Sequence, residues 1–174
     1  MIEADAIVIE AGEQLAVRCG AVLVWITAGQ LDDAPLVELR DGLEAMARDQ
    51  PQGVALLLVA LGEGELPKIN TRRRIVRGLS SLGDRLQAVA VSFEGDKPWL
   101  AQALSTFEAI FAEVRAQVRA TVVGDRFPMR VFGDRMEAVV WLGEVVVGPD
   151  QRPIETEGLA TVIDETCARL EDPR

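Results

Sequence analysis

The chain has no histidine and no tyrosine among its 174 residues, only two cysteines, and aromatic residues at 5%. Each gap closes a chemistry. Without imidazole there is no Ser-His or Cys-His nucleophile pair, no histidine general base and no histidine metal ligand. Two cysteines without histidine cannot supply the four ligands of a structural zinc site. Cys19 and Cys167 lie far apart, form no CxxC pair and read as small apolar core residues, not as a disulfide framework. No apolar run approaches the roughly 20 residues needed to cross a bilayer. The start, Met1 to Asp5, is acidic and lacks the cationic and apolar stretches of a secretion signal. Together these gaps predict a cytoplasmic protein with no cofactor, no metal and no membrane insertion. They also predict no enzyme activity of the familiar kinds. Carboxylate-only catalysis needs two acids converging in a cleft, and with 28 acids in the chain adjacency in sequence does not identify such a pair.

What is present fits one compact α/β domain. Hydrophobic residues make up 49% and charged residues 26%, enough for a real core at this length. The net charge of −10 is unevenly spread: residues 1–66 carry 3 basic and 12 acidic side chains, residues 67–142 carry 12 and 8, and residues 143–174 carry 3 and 8. An acidic body repels phosphate backbones, which argues against a nucleic-acid partner. The middle third keeps a capacity for local anion contact.

Apolar runs and helical spacings alternate along the chain. Ala6 to Glu10 and Gln14 to Cys19 read as a hairpin, and Val22 to Ile26 as a buried strand. The pattern leaves open whether the last two are separate or one strand interrupted at Gly20. A helix follows, with Asp32 and Asp33 at its cap, Pro35 in its first turn, and Leu36, Leu39, Leu43 and Met46 on one side. It should end near Asp49, before Pro51. Val54 to Ala60 is the most apolar segment and predicts a central strand buried on both faces. A second helix spans about Asn70 to Leu82, a strand Gln87 to Phe93, a long amphipathic helix Pro98 to Arg119, and a short strand Phe127 to Phe132. Asp134 caps a helix carrying Met136, Val139, Val140 and Leu142. A last helix, Glu155 to Leu170, has Leu159, Val162, Ile163, Cys167 and Leu170 on one side. The order predicts an N-terminal β-hairpin followed by alternating strands and helices, forming a mixed sheet with helices packed on it. Residues 1–147 form that domain. Residues 148–174 are a linker and amphipathic helix that either folds back or mediates a homodimer.

One charge cluster stands out. Arg72, Arg73 and Arg74 follow Thr71, with Arg77 one turn on and Lys68 before. Cations at a helix start oppose its dipole by a few tenths of a kcal/mol, a penalty that an anion or an acidic partner surface relieves. A solvated face is the plainer reading, with Arg72 close to the inward stripe and placed for an internal salt bridge. Gly62-Glu-Gly64-Glu-Leu-Pro-Lys68 stands where phosphate loops occur, but it lacks the Gly-Lys-Ser/Thr of a P-loop and the third glycine of a dinucleotide fingerprint. Trp25 and Trp141 read as core; Trp99, at a helix start, is a weak interface candidate.

From Val54 to Leu142 the chain resembles the STAS-like fold of anti-sigma-factor antagonists, especially its divergent stand-alone bacterial members. The resembling pieces are the strand Val54–Ala60, a proline and then an arginine-bearing helix, the strand Ala88–Phe93, the long helix, and the ending Val131-Phe132-Gly-Asp-Arg-Met-Glu-Ala-Val-Val-Trp141-Leu142. The resemblance implies a non-catalytic cytoplasmic module for protein–protein signalling, sometimes switched by phosphorylation. The family's serine switch motif after the central strand is absent: the corresponding stretch is Leu61 to Thr71, where Thr71 is the one hydroxyl roughly in place, and helix capping is its plainer role. The expectation is therefore a partner-binding module, with Lys68, Arg72, Arg73, Arg74 and Arg77 as its partner- or anion-binding residues and another protein as its partner. The alternative is a carrier or sensor of a small apolar or lipid-like ligand, which would need an enclosed apolar cavity of several hundred Å³.

Overall fold

The computed structural model describes residues 6–29, 33–119 and 128–171. Strands β1 (Ala6–Ala11), β2 (Gln14–Cys19) and β3 (Val22–Thr27) form an antiparallel meander. The region around Gly20 is thus two strands joined by a two-residue turn, not one interrupted strand. Gly12 and Gly20 open the two turns with φ of 59° and 56°, a backbone that costs glycine nothing and other residues a Cβ clash.

From β3 onward the sheet is parallel. β4 (Val54–Ala60) pairs with β3, β5 (Leu86–Phe93) with β4, and β6 (Met129–Phe132) with β5, so that the six strands lie in chain order. Every residue of β4 is buried, as expected of a strand covered on both faces. Parallel neighbours taken in chain order, with the usual right-handed crossover, must place every connecting helix on one face. Helices α1 (Asp33–Asp49), α2 (Ile69–Leu82) and α3 (Lys97–Arg119) do share that face, over Leu23, Trp25, Leu56, Leu58, Val89 and Val91. The alternate residues, among them Val22, Val24, Leu57, Val59 and Ala90, face the other layer. That layer holds α4 (Arg135–Val145) and α5 (Thr156–Glu171).

The helix ends follow local chemistry. Asp134 caps α4, its carboxylate accepting from the backbone N–H of Met136 at 2.7 Å and of Glu137 at 3.1 Å. Ala138, Val139 and Leu142 form the buried stripe of α4, while Met136 and Val140 are exposed. The expected cap of α1 at Asp32, and Phe127 before β6, lie outside the described residues. Helix α2 begins at Ile69, with Lys68 in the cap position and no side-chain cap bond. Thr71 consequently sits inside the first turn, buried, and does not cap the helix.

The segment after α4 is tied to the sheet by one side chain. Gln87, in β5, donates from Nε2 to the carbonyls of Gly53 and Val147 at 2.9 Å each, and its Oε1 accepts from Val147 N at 2.8 Å. Beyond it, Leu159, Val162, Ile163 and Cys167 of α5 are buried against the sheet. The apolar stripe of the last helix is therefore covered by its own chain. No described helix is long and apolar enough to cross a membrane.

Candidate functional site

The arginine cluster does not act as a unit, because a helix sends consecutive side chains in different directions. Arg72, half-buried, turns back and donates from Nε to the carbonyl of Pro67 at 2.8 Å, closing the turn that leads into α2. The internal salt bridge expected of Arg72 is thus replaced by a hydrogen bond to backbone. Lys68 lies 3.6 Å from Glu65, an exposed pair worth little. Thr71 is 8% exposed, so phosphorylation there requires the first turn of α2 to open. Arg73, Arg74 and Arg77 are exposed.

Two of these three meet an arginine that the sequence did not single out. Helices α1 and α2 pack side by side, and between them runs a groove of about 420 Å³ lined by Leu36, Val37, Arg40, Glu44, Arg74 and Arg77, with Gly78 and Ser81 beyond. Arg40 comes from α1. Its Nη2 and Nε donate to the Asp41 carboxylate at 2.7 and 3.1 Å, and its Nε stands 3.9 Å from Glu44. The hydrogen bond to Asp41 raises the Arg40 pKa above its ordinary value. Helix α2 itself carries four arginines and no acid. The groove thus gathers three arginines and one glutamate on the surface of a chain whose net charge is −10.

Beneath the groove, α1, α2 and α3 leave an apolar cleft of about 50 Å³ over the sheet. That is well below the several hundred Å³ that a sequestering carrier needs.

In open α/β sheets ligands bind in the crevice beyond the carboxyl ends of the strands. Here Trp99 occupies it. Its indole Nε1 donates to the Gly64 carbonyl at 2.9 Å, its ring meets Phe93 edge-on at 5.5 Å, and its backbone N–H is accepted by Asp96 at 2.9 Å. A Cβ on Gly95 would lie 2.6 Å from the indole, so glycine is what lets the ring sit there. The space left among Thr27, Ala60, Leu61 and Phe93 is about 10 Å³. Trp99 is therefore an internal clamp of the Gly62–Pro67 loop.

An arginine with two acids is found elsewhere. Arg135, at the start of α4, donates from Nη1 to Glu94 at 2.6 Å and from Nη2 to Asp164 at 3.0 Å. Burial works against its charge, but the hydrogen bond and attraction of Glu94 outweigh it and raise the Arg135 pKa. The three groups satisfy one another and join the end of β5 to α4 and α5. Their arrangement is that of a structural ion-pair network. Among the described residues no group of histidine, cysteine, aspartate and glutamate is placed to hold a metal ion.

Compared with protein-family models, with curated proteins and with solved structures, the chain matches none.

Arg40 escaped the sequence reading because it stands among Glu38, Asp41 and Glu44 on a helix face that reads as ordinary solvated surface. Its partnership with α2 follows only from the order of β3, β4 and β5 in the sheet.

Proposed function

We propose that the chain is a non-catalytic, cytoplasmic binding module of the STAS-like type, and that its contact face is the outer side of α2 together with the α1–α2 groove. The partner is a protein presenting an acidic segment. The observation that carries this reading is the local inversion of charge. Arg73, Arg74 and Arg77 stand exposed on a helix without acids, Arg40 joins them from α1, and the rest of the molecule is strongly acidic. Such a patch attracts an acidic surface while the acidic remainder of the body repels one, so an acidic partner is directed to this face. The STAS-like assignment rests on the element order, a hairpin and then alternating strands and helices closing on Val131-Phe132 and the Glu137-Ala138 helix.

Charge reversal tests it. Arg73→Glu with Arg74→Glu should cut capture of the partner from host extract at least tenfold relative to the unmodified chain. The melting temperature should move by no more than a few degrees, because exposed charges contribute little to stability. Equal capture by both proteins at equal fold stability rules out this face.

A further inference from the structure

Three features of the cleft beneath the groove point to a ligand of a definite kind. Trp25 is in its lining and only 2% exposed, and its indole Nε1–H has no hydrogen-bond partner. Buried donors are nearly always satisfied, so an orphan of this kind calls for an acceptor. A water there would want two to four polar partners. Apart from Trp25, only Arg40 and Arg74 contribute polar side chains to the lining, and both are exposed residues at its mouth.

The cleft and the groove also adjoin. They share Leu36, Arg40, Arg74 and Gly78 in their linings, so a passage from one to the other would run from a cationic mouth to an apolar floor. Finally, Gly78 interrupts the interior of α2, where glycine is disfavoured. Beyond its chain neighbours and the helix's own backbone, no atom lies within 4 Å of the position its Cβ would take. Packing therefore does not demand glycine there, and Gly78 stands in the lining of both the cleft and the groove.

We propose that this passage binds a small amphipathic carboxylate whose far end carries an acceptor oxygen. The carboxylate lies against Arg40, Arg74 and Arg77. The apolar chain passes Gly78 between α1 and α2, and the far oxygen accepts from Trp25 Nε1–H. The cleft takes the last few atoms of the chain and the groove takes the rest. This site shares the groove and Arg40, Arg74 and Arg77 with the protein-binding reading but not Arg73, so Arg73→Glu alone should leave ligand binding intact, whereas Gly78→Leu should leave Arg73 free to meet a protein.

Isothermal titration of the full chain with octanoate, its (ω−1)-oxo analogue and octylamine tests the proposal. Octanoate should bind, and octylamine, with the same tail and the opposite charge, at least tenfold more weakly. Gly78→Leu should weaken octanoate tenfold or more while the protein keeps its circular dichroism spectrum. The affinity ratio of the oxo analogue to octanoate should fall about fivefold in Trp25→Phe, the worth of one buried hydrogen bond. No binding of octanoate or the oxo analogue by the unmodified chain, equal binding of octylamine, or undiminished binding by Gly78→Leu overturns the site. An unchanged ratio in Trp25→Phe overturns the orientation given to the ligand.

Discussion

Gly78 and Gly143 both interrupt helices, for opposite physical reasons. A Cβ on Gly143 would collide with Thr156 Cγ2 at the start of α5, whereas one on Gly78 would meet open space. Gly143→Ala should therefore destabilise the protein, by about 1 kcal/mol or more, because Thr156 must turn its methyl away or α5 must shift. Gly78→Ala should stabilise it by about 0.5–1 kcal/mol, the helix preference for alanine. Urea denaturation read by circular dichroism separates the two signs. Gln87 offers a third residue-scale check. Its three hydrogen bonds join β5 to Gly53 and to Val147. Gln87→Ala should cost about 1–3 kcal/mol, since it leaves backbone groups on both segments without their partner. The arginines belong to this scale too. Their types were legible in the sequence, but their directions were not. A helix that starts at Ile69 instead of Asn70, with Lys68 and not Thr71 at its cap, rotates Thr71 into the core and sends Arg72 back to Pro67.

At the scale of elements, most boundaries could be read from the chain. The run Val54–Ala60 could only be a strand buried twice over, and Leu36, Leu39, Leu43 and Met46 marked the inner side of α1 where the structure has them. Asp134 announced α4 by N-cap chemistry that the geometry reproduces. The groove was not legible. It exists because β3, β4 and β5 are neighbours in the sheet, which brings α1 beside α2 across some 30 residues of sequence. No local pattern records that adjacency. The last helix was readable as amphipathic but not as to what it covers. Leu159, Val162, Ile163 and Cys167 are each buried in the second core layer. At about 1.5–3 kcal/mol for each large side chain, their burial rivals the total stability of an ordinary domain. A chain ending before Thr156 should lose its cooperative thermal transition and expose apolar surface to a dye such as ANS. Retention of a sharp transition would show that α5 is dispensable.

For the whole molecule the governing quantity is charge. Contact between the basic groove and an acidic partner should depend strongly on salt, since it is made of charge pairs on a body of net −10. Raising ionic strength from about 0.05 to about 0.5 M should weaken capture at least tenfold. Salt-insensitive capture would point to an apolar contact instead, for which Met136 and Val140 of α4 and Ile69 of α2 are among the exposed apolar side chains. The most direct measurement is arginine footprinting with phenylglyoxal, comparing the purified chain with the same chain in gentle host extract. The contact face described here predicts that Arg73, Arg74 and Arg77 are modified in the purified protein and protected in extract. Arg152, on the far connector and largely exposed, should react equally in both. Equal modification of the α2 arginines in the two samples, with the chain shown to be bound in extract, would contradict the account.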